Sequence, residues 1–479
     1  MKALVANPPW PGPGYGARSD VRWPHRRSDK YLEYPVYLAY AVAVLEKAGI
    51  DTHFIDGVAE DLSIRSFVSK VEKTNPALIL MECSTPSIVS DLSTAESLKK
   101  VLGHSFLALM GPHPTYFHKE ILRNNKFVDA IIRGEFDFTI RDLALTLQNQ
   151  DQLDAVKGIS YRVGSDVHVN EGRPPIENLD SLPFPARDKV QSDSYREAVF
   201  TGEKCTTIVS SRGCPYQCVF CLWPRIMYGR QYRSRSPKNV VDEIEDVVDN
   251  HSVDEIYFDD DCFALNKKRL VRICRGIRER GIDVKWMCQS RVDNVDRQLL
   301  EEMKKAGCHY IKYGVESGSQ RILEAMKKGI TLEDARRAFA LTKNVGIKTQ
   351  AFFLLGLPWE SRETLEETIR FSIELEPESA QFAVVVPHPG TELYDLCLQK
   401  GWLDYQSWAD FDCRKALINT GNLSSKDVER YRTKAYRKFY FRPAYILRTT
   451  LKLWNPKEAK RIFRSAKSII ERLSYYKED

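Results

Sequence analysis

Over the first 150 residues, short apolar runs alternate with longer amphipathic ones. KALVANP (2–8), THFIDG (52–57), ALILMECS (77–84), SFLALMG (105–111) and DAIIRGE (129–135) have the length and continuous apolar character of buried strands. Helical periodicity fills the gaps, and PVYLAYAVAVLEKAGI (35–50) presents an apolar face. Five such units predict an α/β domain over 1–150, a doubly wound, Rossmann-like parallel sheet. Ligands of such sheets bind outside the carboxyl ends of the strands. Those ends carry PPWPGPGYG (8–16), STPS (84–87) and GPHPTYF (111–117).

Residues 151–200 read as a connector. GISYRVGSDVHVNEG (158–172) predicts a hairpin turning at Gly164–Ser165, and RPPIENLDSLPFPARD (173–188), with four prolines, an irregular linker. Alternation resumes over 201–400 with TTIVSSRG (206–213), DEIYFDDD (254–261), KWMCQSR (285–291), YIKYGVES (310–317), KTQAFFLLG (348–356) and SAQFAVVVP (379–387). Six strand–helix units with right-handed crossovers predict a partial (β/α)6 barrel. Residues 401–479 are helical, basic and aromatic. RIFRSAKSIIERLSYY (461–476) carries apolar residues at 462, 463, 466, 469, 470 and 473, a helical stripe.

A chain of 479 residues is too long for one core. With 28% charged and 43% hydrophobic residues it has the composition of a soluble, folded protein. No apolar run reaches the roughly 18 residues of a membrane span, and the first apolar run is too short for a signal peptide. A cytoplasmic protein is expected. Residues 430–479 hold fifteen Lys and Arg against four Asp and Glu, more than the whole net charge of +6. The rest is slightly acidic, so no nucleic-acid partner is required. The eleven cysteines are expected to be reduced. Eight of them, Cys83, Cys205, Cys262, Cys274, Cys288, Cys308, Cys397 and Cys413, are scattered and read as small core residues.

The other three share one loop. Residues 210–224 read SSRGCPYQCVFCLWP, with Cys214, Cys218 and Cys221 at C-x3-C-x2-C spacing. Structural zinc takes four protein ligands, and no His stands at matching spacing. A [4Fe–4S] cluster needs four iron ligands, so three cysteines leave one iron open to a small-molecule cofactor. A chance trio of thiols, or a redox pair at Cys218–Cys221, is the weaker reading, because the loop follows the first strand of a barrel and not a thioredoxin-like unit.

This spacing and context resemble the radical S-adenosylmethionine (AdoMet) superfamily. The resemblance implies that the open iron chelates AdoMet and that one-electron reduction releases a 5′-deoxyadenosyl radical. It implies an external one-electron reductant of the flavodoxin or ferredoxin type. It also implies site residues. Phe220 takes the position expected to touch adenine. Asp259, Asp260 and Asp261 end the second barrel strand, where the AdoMet amine is contacted. Gln289, Ser290 and Arg291 end the third, with the Arg291 cation expected to face the AdoMet carboxylate. Glu316 and Ser317 end the fourth, beside the ribose hydroxyls. Gly356 lets backbone approach the adenine. Asp260 and Glu316 are expected near the reaction face, and no catalytic residue is assigned. Each of these alone is equally a capping or solvated group; the reading rests on all of them lying at strand ends.

A doubly wound domain ahead of such a barrel resembles the cobalamin-binding branch of the superfamily, from NPPW through LPFPARD to the basic tail. The implied cobalamin contacts are Pro9, Trp10, Ser84, Gly111, His113 and Thr115. An apo, vestigial domain and a plain loop role for His113 are the alternatives. DTHFIDG (51–57) imitates the cobalt-ligating D-x-H-x-x-G, but its glycine is one place late and it lies on the second strand. His53 is therefore read as a strand residue, leaving cobalt without a His ligand. CLWPRIMYGRQYRSRSPKNVVDEI (221–244), FDDDCF (258–263) and PHPGTELYDLCLQKGW (387–402) resemble the sub-branch of the hopanoid cyclitol-ether-forming enzyme. Hopanoid methylases and the anaerobic cyclase of bacteriochlorophyll synthesis lie nearby. The implied activity is hydrogen abstraction from a C–H bond of an amphiphilic (lipid, isoprenoid or sugar-bearing) or secondary-metabolite substrate, followed by rearrangement or cyclisation. Cobalamin-dependent radical C-methyl transfer is the alternative. A methylthiotransferase needs a second cysteine set in the first domain, where only Cys83 stands. A non-catalytic cobalamin or redox sensor does not need the strand-end polar set. FYFRPAYILRTTLKLW (439–454) and the 461–476 stripe suit either packing on the barrel or peripheral contact at the inner membrane face.

Overall fold

The computed structural model describes residues 1–12, 15–17, 25–27, 32–191, 195, 204–452, 454, 459 and 462. Strands β1 (Lys2–Asn7), β2 (Asp51–Asp56), β3 (Leu78–Glu82), β4 (Phe106–Met110) and β5 (Ala130–Ile132) are parallel, in the order β2-β1-β3-β4-β5. Every residue of β3 is buried, as expected of a strand covered by helices on both faces. The strand order reverses between β1 and β3, so the loops after Asn7 and Glu82 flank the ligand crevice of the sheet.

Two elements depart from the sequence reading. The hairpin β6 (Ile159–Val163) and β7 (Asp166–Val169) is not a connector but the outer edge of the first sheet, with β6 antiparallel to β5. It covers β5, which otherwise leaves a row of unpaired backbone groups, and presents the mostly exposed β7 instead. Helix α1 (Val36–Lys47) is not one-faced: its residues from Val36 to Leu45 are all buried. Its second face meets the linker and the segment after the cysteines. The Ala186 amide donates to the Ala39 carbonyl at 3.1 Å, and Tyr37 stacks on Trp223 with centroids 5.6 Å apart.

The second sheet is a partial barrel, with all six strands parallel and in chain order: β8 (Cys205–Ile208), β9 (Glu255–Phe258), β10 (Lys285–Ser290), β11 (Cys308–Glu316), β12 (Lys348–Leu355) and β13 (Ser379–Val384). The edge strand β13 is closed by side chains of helix α2 (Ser425–Tyr440). The Tyr440 hydroxyl accepts from the Ala380 amide at 3.0 Å and donates to its carbonyl at 2.7 Å. Tyr436 Oη accepts from the Phe382 amide, and Arg432 donates to the Phe382 carbonyl. These side chains satisfy edge groups that a seventh strand would otherwise pair. Among the described residues no helix is long and apolar enough to cross a membrane. The helix expected over 461–476 lies outside the described residues.

The two sheets are joined through a buried ion cluster. Arg212, 1% exposed, donates to Glu135 Oε1 at 2.7 Å and to Asp137 at 2.6 and 3.1 Å. Arg233 donates to the other Glu135 oxygen at 2.8 Å. Glu135 and Asp137 follow β5 of the first sheet, and both arginines flank the cysteine loop. Removing one partner of such a cluster strands a buried charge. Arg212→Met, which keeps the side-chain bulk, is expected to lower unfolding stability by about 3–5 kcal/mol, and adding Asp137→Asn to recover part of it, measured by urea denaturation.

Candidate active site

The residues leading into the cysteine loop are pinned one after another. Asp260 accepts from the Ser210 amide at 2.7 Å, from the Ser210 and Ser211 hydroxyls at 3.0 Å, and from the Ser211 amide. Asp261 accepts from the Gly213 amide at 2.7 Å. Ser211–Arg212 pairs antiparallel with Arg233–Ser234, closing the base of the loop. Gly213 has φ +83°, and a Cβ there would lie 2.2 Å from the Gln231 carbonyl oxygen, so only glycine fits. Cys214 follows directly. The loop is held from the far side by the Val219 amide, which donates to the Met326 carbonyl at 3.1 Å.

Of the three loop cysteines, Cys218 is buried and the other two are half-buried. Burial pushes the Cys218 thiol up, while nearby Lys328 and Arg291 pull it down. Among the described residues no three His, Cys, Asp or Glu side chains converge to hold a single metal ion. A [4Fe–4S] cluster asks for something different: each cysteine binds its own iron. Three cysteines on one pinned loop with cationic neighbours fit that group. Cys262 is buried, as expected, and its sulfur accepts from the Asn294 side-chain amide at 3.5 Å.

The strand-end residues divide into two sets. Asp260, 1% exposed, is surrounded by the donors of the loop; burial raises its pKa to about 6 against the opposing pull of Arg269 and those donors. Asp260 and Asp261 staple the cysteine loop. Arg291 has a protein carboxylate as a partner. It grips Asp293 through two bonds of 2.9 Å, donates to the Lys328 carbonyl, and lies 3.5 Å over the Tyr216 ring. Ser317 serves the following turn, accepting from the Ser319 amide and contacting Thr368. Ser290 turns back to the Arg291 carbonyl. Asp259 and Gln289 are hydrogen-bonded to each other across adjacent strand ends. Glu316, at φ +72°, pairs with buried Lys328 at 2.7 Å, and Gly314 leaves room for its carboxylate. Phe220 is buried in the barrel core beside Cys218. Gly356, at φ +92°, donates its amide to Glu360 at 2.6 Å. Lys328 and Glu360 were missed in the sequence: neither MKKGI (326–330) nor GLPWES (356–361) carries a motif that marks its charge as part of a site.

At the end of the first sheet, Pro9 packs on Gly57, where a Cβ would lie 2.7 Å from its ring, and Trp10 lies flat against Gly16. The Ser84 and Ser87 hydroxyls are 2.9 Å apart, and Ser87 donates to Asp91. Gly111, at φ +111°, crosses so close to the Cys83 carbonyl that a Cβ would stand 2.3 Å from its oxygen. Thr115 closes its own turn, donating to the Gly111 carbonyl and accepting from the Gly134 amide. His113 Nδ1 lies 3.2 Å from the Thr85 hydroxyl, and burial lowers the His113 pKa to about 3, so the ring is neutral. Trp408 of the C-terminal region stands edge-on to it at 5.1 Å, a contact between distant segments that no local motif announced. His53 is an exposed strand residue, 3.6 Å from Asp51, as expected. Buried hydroxyls and glycine backbone at the switch-point crevice fit the hydrogen-bonding periphery of a cobalamin.

The profile of the Radical SAM superfamily matches residues 208–372, and that of the B12 binding domain residues 26–144. An uncharacterized methyltransferase of Pyrococcus horikoshii is 31% identical over 414 residues, 86% of this chain and 89% of the relative. An anaerobic magnesium-protoporphyrin IX monomethyl ester cyclase of Cereibacter sphaeroides is 30% identical over 383 residues, 78% of this chain and 62% of the relative. Among solved structures, the cobalamin-dependent S-adenosylmethionine radical enzyme OxsB, with aqua-cobalamin and S-adenosylmethionine bound, has a TM-score of 0.75 at 18% identity, over 98% of this chain and 71% of that one. At that identity the likeness concerns the fold.

Glu360 gives the site a pH dependence. Burial raises its pKa to about 8 against the two amides, of Gly356 and Leu357, that donate to it. A carboxyl whose pKa rises on folding contributes stability that is complete below the ordinary carboxylate range and lost as pH climbs through the folded value. Glu360→Gln keeps the acceptor for both amides and cannot ionise. Its melting temperature is expected to fall less than that of the wild type between about pH 7 and pH 9.

Proposed function

We propose, for a chain that belongs to the radical SAM superfamily in the branch carrying an N-terminal B12 binding domain, that it transfers a methyl group to a carbon of an amphiphilic or secondary-metabolite substrate. It is an enzyme of that superfamily, its cofactors are a [4Fe–4S] cluster, AdoMet and cobalamin, and it draws on an external electron donor. When bound, these groups supply reductive AdoMet cleavage, hydrogen abstraction and a transferable methyl. The reductant proposed is of the flavodoxin or ferredoxin type.

The observation that carries methyl transfer is the extent of likeness to the Pyrococcus relative, named a methyltransferase, along 86% of this chain and 89% of that one. Rearrangement or ring closure, the first expectation from sequence, becomes the second reading; the cyclase is matched over 62% of its length. Cys214, Cys218 and Cys221 hold the cluster in this reading. Asp259–Gln289 and Glu316–Lys328 are the polar pairs offered to AdoMet, with Phe220 and the Gly356 backbone beside the adenine. Ser84, Gly111 and the Pro9–Trp10 loop face the corrin side.

Anaerobic turnover of cluster- and cobalamin-loaded protein with AdoMet, a reductant and candidate amphiphiles tests this. Comparable amounts of S-adenosylhomocysteine and 5′-deoxyadenosine are expected. Deoxyadenosine alone supports rearrangement, and neither product supports a sensor.

The C-terminal region supports contact with an anionic membrane. Leu447, Leu451 and Trp454 are 64%, 66% and 91% exposed, within the segment that carries the excess of Lys and Arg. Such a surface suits acyl chains and anionic headgroups together. The protein is expected to float with phosphatidylglycerol vesicles and not with phosphatidylcholine vesicles. Leu451→Glu with Trp454→Glu is expected to abolish the flotation.

A further inference from the structure

Strand alternation sorts the barrel side chains onto two faces. Ala351 and Phe353 of β12, and Ala380 and Phe382 of β13, are buried in the core beneath the outer helices. Their neighbours Gln350, Phe352 and Gln381 therefore point into the barrel, and each is only half-buried. A half-buried side chain on the inner face of a strand that helices cover from outside borders open space. That space has a floor. Tyr257, Met287 and Tyr310 stand in one register row, are at most 4% exposed and pack on one another. The Tyr310 hydroxyl, 2.8 Å from that of Ser379, ties the floor to β13.

The rows above the floor are polar. Gln289, Lys312 and Gln350 share one row, and Gly314, Phe352 and Gln381 the row above it. Gln289 is held by Asp259, and Lys312 turns its ammonium onto the face of Tyr257 in the floor, 4.4 Å from the ring centre. Among the described residues the side chains of Gln350 and Gln381 make no hydrogen bond. Two carboxamides on adjacent strands, with a phenyl ring beside them, are what the well offers a ligand. Each carboxamide brings donors and an acceptor side by side. Neither neutralises a charge, and burying an unpaired anion costs far more than burying a neutral polar group that finds its hydrogen bonds. A Cβ on Gly314 would stand 2.6 Å from Glu316 Oε1, so the well opens beneath the Glu316–Lys328 pair. We propose that Gln350 and Gln381, with the Phe352 ring, bind the polar head of the methyl acceptor, and that this head is an uncharged hydrogen-bonding group, a carboxamide or neighbouring hydroxyls. The inference rests on the reading of this end of the barrel as the site of methyl transfer.

The test is ligand-observed NMR titration of the cluster- and cobalamin-loaded full-length protein, with AdoMet present and no reductant. The probes are short-chain amphiphiles that differ in the head group: hexanamide, hexyl glucoside, hexanoate and hexyl phosphate. Hexanamide or hexyl glucoside is expected to bind about tenfold more tightly than either anion, and which of the two does so separates a carboxamide head from a hydroxyl-bearing one. Gln350→Leu and Gln381→Leu are each expected to weaken that binding about tenfold and to leave AdoMet binding unchanged. Gln350→Asn and Gln381→Asn, which keep an amide that falls short of the ligand, serve if the leucine variants do not fold. Tighter binding of hexanoate or hexyl phosphate overturns the inference, as does binding of neither uncharged probe or equal affinity in wild type and variants. The readout needs no turnover, so a failure of the methyl-transfer reading beneath it shows separately, as absence of S-adenosylhomocysteine in the turnover assay.

Discussion

A guanidinium buried between two carboxylates is costly to desolvate and costlier still to leave unpaired. Arg212 is such a group, and its place in the chain gives it leverage. It stands two residues before Cys214, so the side chain that reaches Glu135 and Asp137 also sets where the cysteine loop begins. The faces of Tyr228 and Tyr40, 5.0 and 5.3 Å from its charge centre, complete a cage of partly aromatic walls. The first sheet supplies the anions and the barrel supplies the cations. Neither side of this cluster is satisfied alone, and the ligand ends of the two sheets are held in one arrangement.

From that anchor the rest of the site follows by division of labour. Residues at the strand ends of a barrel are free to serve a ligand only if something else holds the loops. Here Asp260 and Asp261 hold the loop that carries the cysteines, and Ser317 holds the turn after β11. That leaves Asp259 with Gln289 and Glu316 with Lys328 as neighbouring polar pairs. Glu360 keeps the Gly356 turn in shape while protonated, which spares the site another buried charge. The C-terminal region contributes twice, closing the edge of β13 with tyrosine hydroxyls and setting Trp408 against His113.

How much of this was legible depended on whether a feature is local. The eleven principal strands follow from apolar runs of strand length, and the cysteine loop from spacing alone. The helix at 35–50 was underestimated because periodicity describes one face, whereas its second face is buried by a linker more than a hundred residues away. The hairpin at 159–169 was recognised as a hairpin, but nothing in its sequence names β5 as its partner. Asp260 shows the limit for site residues. A carboxylate at a strand end looks the same in sequence whether it faces a ligand or two serine amides. Cys262 and Trp408 depend on contacts between distant segments, and no motif of either residue's own neighbourhood carries that information.

The central claim is that this scaffold moves a methyl group from AdoMet by way of cobalamin. The direct measurement is to give anaerobically loaded, reduced protein AdoMet labelled with a trideuterated methyl group and to weigh the bound cobalamin by mass spectrometry. The account predicts trideuteromethyl-cobalamin, with S-adenosylhomocysteine released in matching amount, before any substrate is added. Cobalamin that stays bound and unlabelled while AdoMet is cleaved to 5′-deoxyadenosine would contradict it.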